Sequence, residues 1–115
     1  MMYYKFTYEV NEERGDGLQI EYKTTSIKKV CTDAQVAIRK HGVEMAELIH
    51  QRIGEIEAAD SVEFMIKYKI GRCHALQGNR KGEYAVDLVH PHRLVFTKKG
   101  KEIQVARIIE LVDYH

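Results

Sequence analysis

The apolar residues of this chain change their period near Ile70, and this change constrains the fold more than any other feature of the sequence. Between Val43 and Ala59 they recur at helical spacing and form one stripe along the longest predicted helix. Beyond Ile70 apolar and polar residues alternate, which predicts a series of strands. The sequence therefore predicts an α+β fold, with helices packed on a twisted antiparallel sheet.

The N-terminal part of the chain predicts a strand or a hairpin. Residues 3–10 alternate aromatic and polar side chains, and residues 18–23 resume this alternation after a polar stretch that contains two glycines. Two strands separated by such a stretch are typical of a hairpin.

Two to three helices are expected between these strands and the change of period. Residues 26–31 predict a short helical turn, and residues 34–41 predict a helix that begins after Asp33 and ends before Gly42. Asp60 is the expected cap of one more short helix, which follows the longest one.

The C-terminal half predicts strands over residues 72–76, 84–88, 92–97 and 103–112. The chain must turn at His90-Pro91-His92, which contains its one proline, and again at the Lys98-Lys99-Gly100-Lys101 tip. The last strand is apolar on both of its faces, which indicates a central place in the sheet.

Length and composition favour a single domain spanning residues 1–115. The apolar share of 44% is ordinary for a globular protein. No apolar run approaches the roughly 18 residues that a membrane span needs, and no basic region followed by an apolar stretch marks a signal peptide. We therefore expect a cytoplasmic protein without a membrane partner.

The two cysteines, Cys31 and Cys73, lie far apart in the sequence and form no C-x-x-C motif. Buried, reduced thiols are the simplest interpretation of such a pair. A disulfide or a metal site is the alternative.

Charge is distributed unevenly along the chain, although the net charge is only +1. Residues 1–60 contain 8 Lys and Arg against 11 Asp and Glu, whereas residues 61–115 contain 10 against 6. A basic C-terminal half favours a polyanionic partner such as a nucleic acid. Lysines that protect the edge of a sheet would give the same pattern.

Strand parity places several polar residues on one face of the predicted sheet. If Leu94 and Phe96 face the helices, Arg93 faces the other way, because side chains alternate across a strand. An antiparallel order would also bring the end of the last strand near the strand that begins at His92. The sequence thus allows a cluster on the open face, formed by His74, Arg80, Arg93, Tyr114 and His115.

Such a cluster suits RNA cleavage by internal transesterification. The 2′-hydroxyl must lose a proton and the leaving 5′-oxygen must gain one, and histidine is the side chain best suited to both transfers near neutral pH. An arginine stabilises the phosphorane through fixed, bidentate hydrogen bonds. Tyr114 would stack on an unpaired base.

Other interpretations of the same residues stay open at this point. The histidines would be surface or satisfied core residues, and His74, His90 and His92 would in principle hold a zinc ion. Arg80 and Arg93 would be ion-pair partners at a sheet edge, and Tyr114 would belong to the core.

The same residues form an ordered set of motifs. Leu76-x-Gly78-x-Arg80-x-Gly82-x-Tyr84 is followed by Arg93-Leu94-x-Phe96 and then by Asp113-Tyr114-His115. Together they resemble the HigB branch of the RelE/ParE toxin superfamily, also called plasmid-maintenance killer proteins. The resemblance covers about residues 18–115 and leaves residues 1–17 outside it, as a lineage-specific hairpin or a misplaced start.

The resemblance implies a small α+β toxin that enters the ribosomal A site and cuts messenger RNA without a metal or another cofactor. It also implies a bacterial, cytoplasmic protein with a cognate antitoxin, usually a HigA-like helix-turn-helix protein. Toxin and antitoxin together would repress their own operon, so operator DNA would be contacted only through the antitoxin.

Matched to the family motif, the catalytic residues are His74, Arg93, Tyr114 and His115, with Arg93 on the phosphate. The matching RNA-binding candidates are Arg80, Lys81, His92 and Asp113. Arg80 would either contact the RNA backbone or have a structural role. Gln77 stands where the family often has lysine, and Val89 where some members have arginine. Lys81 would have to replace the missing charge.

Two rival functions follow from these departures. One is a toxin without nuclease activity that binds DNA gyrase, as in the ParE branch. The other is a decayed toxin that acts only with its antitoxin in operon repression.

Overall fold

The structure is a computed structural model that describes residues 17–101 and 103–113. The strand expected at residues 3–10, and with it the N-terminal hairpin, lies outside the described residues, as do Tyr114 and His115. Among the described residues, no helix combines the length and the apolar character that crossing a membrane requires.

Four α-helices occupy the region where the sequence predicted two to three: α1 (Thr25–Thr32), α2 (Ala34–His41), α3 (Val43–Ala58) and α4 (Val62–Lys67). The first three are separated by single residues. Asp33 ends α1 and caps α2, since its Oδ1 accepts hydrogen bonds from the amides of Gln35 and Val36. Gly42 separates α2 from α3 with a φ of 87°, which a residue with a Cβ rarely adopts.

The cap of α4 differs from the expected one. The hydroxyl of Ser61, not the carboxylate of Asp60, accepts a hydrogen bond from the amide of Phe64 at 2.9 Å. Ser61 has the extended backbone of an N-cap (φ −164°, ψ 165°), so it precedes the first helical residue directly. The D-x-x-E spacing pointed to the residue one position too early.

Five strands form one sheet in the order β1-β5-β4-β3-β2. They are β1 (Gln19–Tyr22), β2 (His74–Ala75), β3 (Glu83–Asp87), β4 (His92–Lys99) and β5 (Val105–Asp113). Short 3₁₀ turns at Ile70–Arg72 and Gly78–Arg80 flank β2.

The sheet is mixed, not fully antiparallel. The pairs β2–β3, β3–β4 and β4–β5 are antiparallel, but β1 runs parallel to β5. The helices form the crossover that a parallel pair needs, because they connect β1 to the remaining strands. The central position of the last strand is confirmed, since β5 lies between β1 and β4.

The core lies between the helices and one face of this sheet. Its largest fully buried side chains include Ile49 and Ile56 of α3, Met65 of α4, and Leu94 and Phe96 of β4. The predicted stripe of the longest helix thus packs on the sheet. Buried apolar surface of this kind supplies most of the stability of a small domain.

A second, smaller apolar cluster lies on strand positions of the opposite parity. It consists of Leu76, Ala85 and Val95, with Ile109 and Val112 packed against them. Because side chains alternate across a strand, these residues form an apolar floor on the open face of the sheet.

Cys31 and Cys73 are both free and buried, which confirms the interpretation as reduced thiols. Burial raises the pKa of each thiol to about 11. Neither cysteine therefore forms a reactive thiolate at neutral pH.

Candidate functional site

Three adjacent strands bring the candidate site together at one end of the open face. His74 lies on β2 opposite Ala85 of β3, and Asp87 at the end of β3 lies opposite Arg93 of β4. His74, Asp87 and Arg93 share strand parity with the apolar floor defined by Leu76, Ala85 and Val95. Arg93 therefore faces away from Leu94 and the helices, as strand parity predicted.

His74 and Arg93 are in contact across β3. The Nη1 atom of Arg93 lies 3.4 Å from the Nε2 atom of His74. The Nδ1 atom of His74 lies 2.8 Å from the carbonyl oxygen of Arg72, which can only accept a hydrogen bond. In the neutral ring Nδ1 therefore carries the proton, and the lone pair of Nε2 is directed at the Arg93 guanidinium.

Asp87 connects this pair to a second arginine. Its Oδ2 accepts a hydrogen bond of 2.6 Å from Nε of Arg72, and its Oδ1 lies 3.7 Å from Nε of Arg93. Oδ1 is buried and has no hydrogen-bond partner among the described residues. From α3, Arg52 donates through Nε to the carbonyl oxygen of Asp87 at 2.6 Å. The side chain and the backbone of Asp87 are thus both held by arginines.

Two clefts adjoin these residues. The first, here called the turn cleft, measures 180 Å³ and lies beside the His90-Pro91-His92 turn, with Arg72, Asp87 and Arg93 in its wall. The second, here called the helix cleft, measures 390 Å³ and is lined by Ile66, Lys69, Arg72, Cys73 and His74. Arg72 lies in the wall of both.

Arg80, a candidate RNA-binding residue, is held between two carboxylates. Its Nε donates to Glu83 and its Nη2 donates to Glu110, both at 2.7 Å. These hydrogen bonds, Glu110 first, raise the pKa of Arg80 above its ordinary value. Arg80 therefore joins the start of β3 to β5, and the two carboxylates offset its charge. Lys81, which follows it, is exposed at the turn before β3.

His92 and Asp113 form a pair of their own. They are opposite each other in the β4–β5 register, with His92 Nε2 and Asp113 Oδ2 3.8 Å apart. They share strand parity with Leu94 and Leu111, which belong to the helix-side core, and not with Arg93. Their side chains thus leave the sheet on the face opposite to Arg93, although His92 also lines the turn cleft beside Arg93.

The alternative zinc site of His74, His90 and His92 finds no support in residues 17–101 and 103–113. Within these ranges, no group of three or more His, Cys, Asp or Glu side chains is arranged to hold a metal ion. His74 and His92 are instead engaged by backbone carbonyls, those of Arg72 and Val89.

Sequence reasoning missed Arg72 and Asp87. A signal for Asp87 was present, because a hairpin turning at His90-Pro91-His92 places residue 87 opposite residue 93. The signal for Arg72 was weaker, since the residue lies in a 3₁₀ turn and not in the strand predicted over residues 72–76. Its place beside Asp87 depends on the backbone conformation of that turn.

This arrangement of helices and strands is the fold of the YoeB/ParE toxins, which is of the RelE/ParE type. The chain is similar to the YoeB/ParE toxin from Agrobacterium tumefaciens, with a TM-score of 0.55 and 17% identity over 84% of this chain and 99% of that chain.

Two structures from Staphylococcus aureus, the YoeB–YefM complex and the YoeB dimer, show the same similarity. Each has a TM-score of 0.54 and 22% identity, over 85% of this chain and 97% of that chain. No protein-family model and no curated protein matches the sequence. The comparisons confirm the expected RelE/ParE-type fold and do not single out the HigB toxins.

Proposed function

We propose that this protein is the toxin of a toxin–antitoxin pair and acts as a ribosome-dependent mRNA endonuclease. The observation that carries the proposal is the contact between His74 and Arg93, 3.4 Å apart on the open face of the sheet. A proton acceptor beside a fixed cation is what cleavage of an RNA phosphodiester requires. The YoeB/ParE fold supports the toxin class.

In the proposed reaction, the Arg93 guanidinium turns from Nε2 of His74 to the phosphate, and Nε2 then accepts the proton of the 2′-hydroxyl. The 2′-oxygen then attacks the adjacent phosphorus, and the bond from phosphorus to the 5′-oxygen breaks. The hydrogen bond from Nδ1 to the carbonyl of Arg72 fixes the ring in the tautomer that this role needs. Arg93 donates hydrogen bonds to the phosphorane, whose extra negative charge it stabilises.

The leaving 5′-oxygen must gain a proton, and we assign this step to His115. We assign Tyr114 to stacking on the RNA base or orienting it. These assignments rest on the resemblance to HigB, because both residues lie outside the described part of the chain. The proposed step uses only side chains and needs no metal.

The proposed partners are a cognate antitoxin, the ribosome and its message, within a bacterial cytoplasm. A fold neighbour is known in a YoeB–YefM complex, which supports an antitoxin partner. We propose a HigA-like helix-turn-helix antitoxin, through which alone the pair would contact operator DNA.

Cleavage of a defined message on translating ribosomes tests the proposal. We expect mapped cuts that need the ribosome and that disappear in Arg93→Ala and in His74→Ala. Arg39→Ala, which removes one exposed positive charge from α2, is the matched control and should cut normally. Growth arrest on induction without any cleavage would contradict the endonuclease and favour a binding toxin of the gyrase type.

A further inference from the structure

Arg72 lies in the wall shared by the turn cleft and the helix cleft. The turn cleft contains Arg93, and the helix cleft contains His74 and Lys69. An extended polyanion that ran from one cleft to the other would pass directly over the Arg72 side chain.

The side chain of Arg72 is well placed to bind an anion from solvent. It is 74% exposed, and its hydrogen bond to Asp87 uses only Nε. Its four Nη–H donors have no acceptor among residues 17–101 and 103–113, so they can donate to a ligand. Arg80 is the internal contrast, since it is 32% exposed and its Nε and Nη2 both donate to carboxylates.

The backbone around Arg72 adopts an unfavourable conformation that serves this arrangement. Lys69 and Arg72 both have a φ of 55°, in the left-handed region that residues with a Cβ rarely enter. In this conformation the carbonyl of Arg72 reaches Nδ1 of His74 while its side chain reaches Asp87. One residue thus contacts both the candidate base and the carboxylate beside Arg93.

Asp87 is itself held firmly from α3. Arg52 donates to its carbonyl oxygen, and Gly71 packs so closely on Arg52 that an added Cβ would lie 2.9 Å from the Cδ of that arginine. The Asp87 carboxylate then lies between two guanidinium groups, with Arg72 at 2.6 Å and Arg93 at 3.7 Å. Asp87 is thus shared by the two arginines.

We propose that Arg72 is a second phosphate-binding arginine of this site, and that Asp87 is the positioning residue that holds Arg72 and Arg93 at the turn cleft. The proposal rests on the proposed endonuclease function and deepens it. Arg72 binds the RNA backbone beside the phosphate at which cleavage occurs.

The test is steady-state cleavage on programmed ribosomes by the full-length protein and its variants, measured at several salt concentrations. Arg72→Ala raises KM by roughly 10- to 100-fold with a smaller change in kcat, because the variant lacks a charge-assisted hydrogen bond to the RNA backbone in ground and transition states alike. The slope of log KM against the logarithm of the salt concentration is also smaller for this variant, by about 0.7, because it neutralises one phosphate fewer than the wild type.

Matched variants separate this role from a structural one. Arg72→Lys raises KM less than Arg72→Ala does, because lysine keeps the positive charge. It does not restore the wild-type KM, because lysine lacks the planar guanidinium. Arg39→Ala leaves KM and its salt dependence unchanged. Asp87→Asn lowers kcat in the wild-type background but does not lower it further in an Arg93→Lys background, because its effect on kcat acts through Arg93. Its effect through Arg72 raises KM in both backgrounds.

Each outcome decides a specific claim. If the wild type cleaves and Arg72→Ala matches it in KM and salt dependence, the phosphate-binding role is overturned. If Asp87→Asn lowers kcat equally in both backgrounds, its positioning role is overturned. If the wild type itself does not cleave, the proposed endonuclease function is overturned, and this inference is overturned with it because it rests on that function.

Discussion

The Nε2 atom of His74 faces the Nη1 atom of Arg93 at 3.4 Å, although their strands, β2 and β4, are separated by β3. Ala85 lies opposite His74 on β3, and Asp87 of the same strand lies opposite Arg93. The geometry of the His74–Arg93 contact is that of a proton acceptor beside a cation, which is the basis of the proposed reaction.

Arg93 is predicted to serve the transition state more than the binding of RNA. Arg93→Ala should lower kcat for message cleavage by roughly 10²- to 10³-fold, because the variant lacks a donor aimed at the developing charge. Arg93→Lys should retain part of the activity, since a point charge remains without the bidentate fork. Rate measurements at saturating ribosomes check this, and a change confined to KM would contradict it.

Arg80 is predicted to contribute to stability more than to cleavage. Arg80→Ala should lower the free energy of unfolding by about 1 kcal/mol, because Glu83 and Glu110 lose a shared partner that is partly exposed to solvent. Urea denaturation measures the loss, with Lys81→Ala as the neighbouring exposed control. Unchanged stability together with abolished cleavage would instead make Arg80 an RNA-binding residue.

Phe96 is predicted to be among the most sensitive positions of the core. It is fully buried and stacks on Tyr84 with ring centroids 5.8 Å apart. Phe96→Ala should lower the free energy of unfolding by about 3–5 kcal/mol. Ile103→Ala, at a side chain that is 44% exposed, should change it by less than about 0.5 kcal/mol. Equal effects at the two positions would contradict the assignment of the core.

Glu63 is predicted to stabilise the fold in a pH-dependent way. Hydrogen bonds from Lys98 and Gln104 lower the pKa of this carboxyl to about 2. The stabilisation is therefore complete above the ordinary glutamate pKa and is lost as the pH falls towards 2. Because the side chain is 59% exposed, we expect less than about 1 kcal/mol.

Thermal unfolding of wild type and Glu63→Gln between pH 2 and pH 7 measures this contribution. The wild type should be the more stable protein at pH 7, and the difference should vanish near pH 2. A difference that stayed constant over the whole range would show that the effect is not electrostatic.

Cys31 and Cys73 are predicted to resist alkylation in the native protein. Burial shields both sulfurs and raises each thiol pKa to about 11, so little thiolate exists at pH 8. Mass spectrometry after iodoacetamide treatment should find both cysteines unmodified in native buffer and both modified in denaturant. Labelling of Cys73 in the folded protein would show that the helix cleft opens to its sulfur.

The parts of the site that follow from strand geometry could be predicted from the sequence. The alternation of Leu94 and Phe96 placed Arg93 on the open face, because parity along a strand leaves only two choices. Asp33 and Gly42 likewise marked the ends of α2 through well-known capping chemistry.

Features that depend on tertiary contacts could not be predicted in this way. The parallel pairing of β1 with β5 is set by how the helices cross the sheet, which no local pattern records. The partners of Arg80 lie 3 and 30 positions away in sequence, so its ion pair with Glu110 could not be predicted from a local pattern. The left-handed backbone at Arg72 carries no residue-level signal, because glycine usually occupies such positions.

Replacing the nucleotide on the 5′ side of a mapped cut with its 2′-deoxy analogue tests whether the 2′-oxygen is the nucleophile. We predict that ribosome-dependent cleavage at that position is lost while neighbouring cuts persist, because the 2′-oxygen is the attacking nucleophile. We also predict that cuts in the unmodified message leave a 5′-hydroxyl end. Unimpaired cleavage at the 2′-deoxy position would contradict the role assigned to His74 and Arg93.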